Sequence, residues 1–185
     1  MLRTESNALL ALLKHRWNIV VLAELHQSSG AKFVTLLNRL GLNRGALTAT
    51  LKHLVSIGVV RRNAGYGHPM RPEYLLTARG RDLGGSCLKL VSLVRKQDGE
   101  RIAWRKWSLP LVLAIGQDSA RFNELRAALG DVTPRAQTLA LKSLLDAGWI
   151  ARTVEDGYPP AVSYQLSPTG QRLLDVLLIL SEHRM

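Results

Sequence analysis

The sequence contains a single cysteine, Cys87, among its 185 residues. A lone cysteine excludes an intrachain disulfide framework and any zinc site built from several thiolates. Long apolar runs are absent too: the longest, from 173 to 180, is interrupted by Asp175 and falls short of the ~18 residues that a membrane span needs. The first residues lack the order of a secretory signal. These absences predict a cytoplasmic protein without a membrane partner.

Catalytic signatures are also missing. The five histidines show no metal-ligand spacing, and there is no Ser-His-Asp arrangement, P-loop or dinucleotide-binding motif. We therefore expect no enzymatic activity, no metal site and no other cofactor. Apolar residues make up 46% of the chain and charged residues 21%, which is typical of a globular protein rather than a disordered one.

Acidic residues are few: 14 Asp and Glu stand against 25 Lys and Arg, a net charge of +11. The excess is uneven, because residues 1–92 hold 13 basic and 4 acidic residues (+9) and residues 93–185 hold 12 and 10 (+2). A positive net charge of this size favours binding to polyanions, and nucleic acid is the first candidate among them. Any electrostatic footprint should therefore lie mainly on the first half.

The chain repeats itself with a period of about 90 residues. The copies open with Arg16-Trp17 and Lys106-Trp107. Phe33 and Phe122 follow 89 apart, and a one-residue length change between Gly41 and Leu42 accounts for that slip. The later landmarks, again 90 apart, are Leu47-Thr48 and Gln137-Thr138, Leu51-Lys52 and Leu141-Lys142, Leu54 and Leu144, Gly58 and Gly148, Tyr74 and Tyr164, and Gly80 and Gly170. One order at one spacing indicates a duplication.

The first copy predicts a helix-turn-helix. Residues 17–25 form a compact apolar helix, and residues 33–40 carry apolar side chains at helical spacing before Gly41. Asn43 is a good N-cap for the next helix, whose apolar stripe runs from Leu47 to Ile57. Residues 40–43 then form the turn between the two helices.

The period changes after Gly58 and predicts a β-hairpin, or wing. Residues 59–62 and 71–76 are extended around a turn-rich loop, and Thr77 caps a last helix that Gly84-Gly85 weakens locally. The second copy repeats this, with Thr133 or Asp131 as cap and a last helix over 169–181. The predicted fold class is mainly α with small β-hairpin wings: two tandem winged helix-turn-helix domains, 1–95 and 96–185, linked at 96–100.

The ordered set of motifs resembles the HxlR-type winged-helix regulators, relatives of the MarR group. The matching positions are Arg16-Trp17, Phe33, Leu47-Thr48, Leu51-Lys52, Leu54, Gly58, Pro72, Tyr74, Leu76-Thr77 and Gly80 in the first copy, and Lys106-Trp107, Arg121-Phe122, Leu125, Thr138, Leu141-Lys142, Leu144, Gly148, Pro160, Tyr164, Leu166 and Gly170 in the second.

Members of that family are typically homodimers joined by their terminal helices, so the resemblance implies a sequence-specific transcriptional regulator of double-stranded DNA that works as an intramolecular pseudo-dimer. A homodimer through the terminal helices remains open, particularly because the last helix is very apolar. The chain departs from the family at three points. It has no cysteine ahead of Trp17, Gln137 replaces a leucine, and the second wing carries Glu155-Asp156.

Recognition helices present small polar and basic side chains to the major groove, and wings place basic side chains on the backbone or in the minor groove. Gln137 has two readings, an adenine contact or a partly buried cap residue. Cys87, Trp17 and Trp107 are expected in the core. The candidate DNA-binding residues are Asn43, Arg44, Thr48, Lys52, His53, Arg61, Arg62, His68 and Arg71 in the first copy, and Arg135, Gln137, Thr138, Lys142 and Arg152 in the second.

Two other functions use paired winged helices. One is a protein-interaction scaffold of the chromosome-segregation type, although such scaffolds tend to be acidic and this chain is basic. The other is a plasmid or phage replication initiator. Direct DNA binding distinguishes the regulator from the scaffold, and the location of the binding site, promoter or origin, distinguishes it from the initiator.

Overall fold

The computed structural model describes residues 4–63, 73–117, 121–155 and 161–182, which form a mainly helical protein with two small antiparallel sheets. The elements of the first half are α1 (Thr4–Lys14), α2 (Asn18–Gln27), β1 (Ala31–Lys32), α3 (Phe33–Leu40), α4 (Arg44–Ser56), β2 (Val60–Asn63), β3 (Glu73–Leu76) and α5 (Ala78–Lys96). The elements of the second half are α6 (Glu100–Ala103), α7 (Ser108–Gly116), α8 (Phe122–Leu129), α9 (Pro134–Asp146), β4 (Ile150–Glu155), β5 (Ala161–Leu166) and α10 (Pro168–Glu182). Apart from β1, the order from α2 to α5 thus returns from α7 to α10, and the predicted fold class is confirmed.

The two helix-turn-helix units start their second helix with a side-chain cap. The Asn43 Oδ1 atom accepts a hydrogen bond from the Ala46 N–H at 2.8 Å, as predicted. In the second copy the cap is Thr133, whose Oγ1 accepts from the Ala136 N–H at 3.2 Å. Residues 41–43 join α3 to α4, whereas residues 130–133 join α8 to α9. The predicted one-residue change in this turn is confirmed.

A β-hairpin follows directly after the second helix of each helix-turn-helix unit. Strands β2 and β3 are antiparallel, with Arg61 opposite Leu75, and β1 adds a short third strand on β3. Strands β4 and β5 pair over six residues, from Ile150 opposite Leu166 to Glu155 opposite Ala161. Both hairpins were predicted, whereas β1 and the two helices that precede the tryptophans, α1 and the one-turn α6, were not.

Each last helix approaches the start of its own wing very closely. A Cβ atom on Gly80 would lie 1.9 Å from the carbonyl oxygen of Val59, and one on Gly170 would lie 2.1 Å from that of Trp149. Any side chain there would collide with backbone, so the glycines let α5 and α10 pack against the first strand. This contact explains why the repeat retains glycine at both positions.

In each copy a large residue packs against a small one where the helix after the tryptophan meets the last helix. The large residue lies on the earlier helix in the first copy and on the last helix in the second. The His26 ring of α2 lies against Gly84, where an added Cβ would be 2.6 Å from its Nδ1 atom. In the second copy the small residue is Gly116 on α7, and its partner is Leu174 on α10. A Cβ atom added to Gly116 would lie 2.2 Å from the Leu174 Cδ2 atom. Helix α5 runs unbroken through Gly84, so that glycine makes room for His26.

The two halves share one continuous hydrophobic cluster, to which both contribute. Helix α10 packs against α5, and α1 of the first half contacts α7 and α10 of the second. Cys87 is fully buried, and burial raises the pKa of its thiol to about 12, which confirms it as a core residue. Trp107 is buried as predicted, whereas Trp17 packs against the core but is only half-buried, with the Arg16 guanidinium over its ring.

Candidate nucleic-acid interface

Helix α4 divides cleanly into a buried and an exposed face. Leu47, Leu51 and Leu54 are almost completely buried, and they fix the rotation of the helix on the core. The opposite face is exposed to solvent along the helix, at Arg44, Thr48, Ala49 and Lys52. The arrangement brings two cations and a hydroxyl together on one surface, as the sequence predicted for a recognition helix.

Asn43 is exposed at the start of α4, but its side-chain oxygen is engaged by the helix N-terminus. Its part in this surface is therefore to set where the helix begins, since the amide oxygen satisfies a backbone N–H that has no partner inside the helix. The position of Arg44, one residue on, depends on that cap.

His53 does not face outward with the other predicted readers, which corrects its assignment as a phosphate contact. Its ring stacks on His15, with ring centroids 3.8 Å apart, and its Nε2 atom is buried without a hydrogen-bond partner. Burial, and then the charge of His15, lower the pKa of His53 below its ordinary value of 6.5. At neutral pH the ring is uncharged, so it lacks the positive charge that a phosphate contact would use.

Helix α9 repeats the exposed face with different side chains. Arg135, Thr138, Leu139 and Lys142 are exposed, and Leu139 has 57% of its surface accessible. The Thr138 hydroxyl donates back to the Pro134 carbonyl at 2.9 Å. Leu139 is not among the residues predicted from the sequence, although its place three residues before Lys142 on a capped helix is a signal for it.

Gln137 is fully buried, which excludes the adenine contact that the sequence left open. Its Nε2 atom donates a hydrogen bond of 2.8 Å to the carbonyl oxygen of Phe122, the first residue of α8. A leucine occupies the corresponding place in α4, at position 47. Gln137 therefore ties the two helices of the second helix-turn-helix together instead of reading DNA.

The wings place further arginines at the surface. Arg61 and Arg62 are exposed on β2, and Arg62 is paired with Tyr74 of β3. Because consecutive strand residues point to opposite faces, only one of the two arginines can lie on the same face as Tyr74. Arg152 occupies the same register place in β4, opposite Tyr164, and is also exposed. His68 and Arg71 lie outside the described residues.

Two adjacent residues at the end of α1 contact both helix-turn-helix units. The Lys14 Nζ atom donates to the Asp131 carboxylate, in the turn before α9, and at 3.3 Å to the carbonyl oxygen of Leu129, the last residue of α8. His15 stacks on His53 near the end of α4. The bond to Lys14 lowers the pKa of Asp131 below its ordinary value of 3.8. The α1 terminus thus contacts α4 of the first copy and the turn between α8 and α9 of the second.

Acidification should destabilise the protein through His53. Its pKa is lower in the folded than in the unfolded chain, so its stabilising effect is complete above about pH 6.5 and is lost as the pH falls through the lowered value. The drop in unfolding midpoint from pH 8 to pH 5 should be smaller in His53→Gln than in the wild type. Asp131 titrates below this window, since its pKa lies under 3.8. An equal drop in both proteins would contradict the assignment.

Metal sites and membrane spans were sought among residues 4–63, 73–117, 121–155 and 161–182. No group of three or more His, Cys, Asp and Glu side chains there is arranged to hold a metal ion. In the same ranges, no helix has the combined length and apolarity that crossing a bilayer requires.

The model of the HxlR-like helix-turn-helix family matches the chain twice, over residues 12–101 and 102–185. The HTH-type transcriptional regulator YtfH of Escherichia coli (strain K12) is 26% identical over 77 residues, 42% of this chain and 61% of YtfH. The HTH-type transcriptional regulator YdeP of Bacillus subtilis (strain 168) is 37% identical over 73 residues, 40% of this chain and 57% of YdeP. The chain thus spans about three-fifths of the length of these relatives.

A solved structure of a MarR-family transcriptional regulator from Porphyromonas gingivalis W83 is also similar, with 27% sequence identity and a TM-score of 0.41. The match covers 48% of this chain and 85% of that one.

Proposed function

This chain belongs to the HxlR-like helix-turn-helix family, which it matches in both halves, and we propose that it is a transcriptional regulator that binds specific double-stranded DNA with α4 and α9 as an intramolecular pseudo-dimer. In this proposal residues 1–95 and 96–185 are the two DNA-binding units. Each unit would place its recognition helix in a major groove and its wing on the adjacent backbone.

The packing of α10 against α5 is the observation that carries the proposal. These are the last helices of the two copies, and they join the helix-turn-helix units within one chain through a shared core. A two-fold arrangement of such units suits a site with two half-sites about one duplex turn, ~34 Å, apart. No second chain is then needed to supply the second recognition helix.

The two half-sites should differ in sequence because the two exposed faces differ. Arg44 corresponds by the 90-residue repeat to Pro134, and Arg135 corresponds to Gly45, so the two arginines sit one position apart on their helices. An arginine fork suits guanine, and apolar side chains suit the thymine methyl group. Leu139, at the place of Ala49, therefore favours thymine in the second half-site.

The wings complete the proposed contact. Arg62 and Arg152 hold the same register place in the two hairpins and would contact phosphates, or the minor groove where it is narrow. The same expectation extends to His68 and Arg71, which lie outside the described residues. With its net charge of +9, the first half should supply most of the salt-dependent affinity.

Selection of bound duplexes from a random pool, followed by gel shift and light scattering, tests the proposal. We expect two unlike half-sites, one chain per duplex, and a slope of log K against log salt of roughly −5 to −9 if ~6–10 phosphates are contacted. Scrambling either half-site of the selected duplex is the matched control and should weaken binding. Two chains per duplex would replace the pseudo-dimer with a homodimer.

If no sequence is enriched and the salt dependence is shallow, specific DNA recognition is excluded. The protein-interaction scaffold is then the remaining function. Enrichment for a sequence found at a replication origin instead of a promoter would favour the initiator. The same experiment therefore separates all three functions that tandem winged helices serve.

A further inference from the structure

The last residue of helix α1 contacts the second half of the chain at the turn between α8 and α9. This residue, Lys14, donates from Nζ to the Asp131 carboxylate and, at 3.3 Å, to the carbonyl oxygen of Leu129. Leu129 ends α8, and the last carbonyl groups of a helix have no partner inside that helix. A side chain of the first copy therefore caps a helix of the second helix-turn-helix unit.

Both partners of this contact are peculiar to their own copy. Each helix-turn-helix turn begins with the glycine that ends its first helix and finishes with an apolar residue and the side-chain cap, so the extra residue of the second turn is Asp131. By the 90-residue repeat, Lys14 corresponds to Trp104, which is buried. Trp104 has no ammonium group, and the turn at residues 41–43 has no carboxylate. The contact therefore runs only from the first copy to the second.

The same end of α1 is also fixed to the recognition helix of its own copy. The His15 ring stacks on His53 of α4, with ring centroids 3.8 Å apart. The buried Asn18 side chain donates from Nδ2 to the Leu12 carbonyl oxygen at 3.0 Å, which satisfies one of the last carbonyl groups of α1 and holds its end in place. Because His15 follows Lys14 directly, little freedom remains between the contacts to the two units.

Two separate attachments hold the halves together. One is the packing of α10 against α5, the last helices of the two copies. The other is α1, which packs on α7 and α10 and ends at the contact between Lys14 and Asp131. A single attachment leaves a pivot about which the helix-turn-helix units can turn. A second attachment beside one of the units opposes that rotation.

The contact between Lys14 and Asp131 should affect position more than stability. The Asp131 carboxylate is exposed, and exposed ion pairs contribute little to the free energy of unfolding. Lys106 lies 3.7 Å from the same carboxylate and belongs to the second copy, so it compensates the charge without joining the halves. Removal of Lys14 should therefore leave the fold intact while it releases the second attachment.

We propose that the contact between Lys14 and Asp131 sets the spacing of the two half-sites that the chain accepts, an inference that rests on the proposed DNA-binding function. Lys14 is a positioning residue here, because it acts through the turn that carries α9 and touches no base. One added base pair moves a half-site by about 3.4 Å along the duplex and by about a tenth of a turn around it. Units held at two points cannot follow that displacement, whereas units that pivot can.

Distances between spin labels test the attachment without DNA. Asn38→Cys on α3 and Ala127→Cys on α8 occupy equivalent exposed places in the two units, and the fully buried Cys87 thiol does not react. Double electron–electron resonance should give a distribution about twofold wider when Lys14→Met is added, because the released units populate more orientations. Lys106→Met is the matched control, since it removes the same charge from the same carboxylate within one copy, and it should leave the width unchanged. A width in Lys14→Met equal to that of the wild type would overturn the proposal.

Gel shift on the selected duplex, and on versions with one base pair added or removed between the half-sites, tests the consequence for DNA. The wild type and Lys106→Met should lose about tenfold or more in affinity on either altered duplex. Lys14→Met and Asp131→Ala should bind the selected duplex within about threefold of the wild type and lose only about threefold on the altered ones. The double variant should match either single one, because both side chains act through one contact. Circular dichroism checks that each variant is folded.

The pattern of affinities across the duplexes separates this role from others. A wild type that is indifferent to spacing, or a spacing penalty in Lys14→Met equal to that of the wild type, would overturn the proposal. An equal loss on every duplex would make Lys14 a phosphate contact and also overturn it, while the proposed DNA-binding function stands. A wild type that binds no duplex would contradict the proposed function and the spacing role with it, and the label distances would still show whether Lys14 holds the two units.

Discussion

Replacing Arg44 and Lys52 together with alanine should lower affinity for the selected DNA site by about 100-fold, because it removes one base contact of ~1–3 kcal/mol and one phosphate contact. Both side chains are exposed on α4, and alanine is a good helix former, so the fold should be unaffected. The salt slope should also fall by about one. Gel shift on the specific duplex and on a scrambled one measures both effects.

The matched control for this variant is Arg95→Ala with Arg172→Ala. It removes the same two charges from α5 and α10, and both side chains are exposed. If the control loses as much affinity as the α4 variant, net charge alone drives binding and α4 is not a reader. Unchanged affinity in the α4 variant would remove the first copy from the interface altogether.

Truncation of Trp149 to alanine should cost about 3–5 kcal/mol of stability and lower the unfolding midpoint by roughly 6–20 °C. Trp149 is 1% exposed and is the largest fully buried side chain among the described residues. Its ring fills the space beside Gly99, where a Cβ would lie 2.3 Å from Cζ2. The side chain therefore holds the segment between α5 and α6 against the second wing, and its loss leaves a cavity at that joint. Thermal unfolding by circular dichroism measures the effect.

Val154→Ala provides the comparison, since Val154 lies on the same strand but is 50% exposed. Its effect should stay within about 0.5 kcal/mol. Similar losses in the two variants would mean that the strand, and not the buried ring, determines stability there.

The parts of this fold that the sequence predicted are those set by neighbouring residues. The caps at Asn43 and Thr77 depend on a side chain three positions before the N–H that it accepts from, and both form. The buried stripe of α4 follows from helical spacing alone. The extra residue in the second turn was visible because the same landmarks occur twice.

The parts that were missed depend on contacts between distant segments. His53 carries a polar ring on the outer side of a predicted helix, and only the position of α1 shows that His15 covers it. The bond from Lys14 to Asp131 joins residues 117 positions apart. Gln137 resembled a DNA contact because polar residues are usually exposed, but it is buried, and a carbonyl of α8 accepts a hydrogen bond from its amide nitrogen.

The opposed pairs His26–Gly84 and Gly116–Leu174 make the two copies non-interchangeable. Grafting the last helix of the second copy onto the first would set an imidazole against a leucine in a space that holds one of them, and the reverse graft would leave two glycines facing a void. In each copy the last helix therefore fits only the earlier helix of the same copy. A shuffled gene that joins front and back pieces from different copies should yield a chain that misfolds, even though every piece is native.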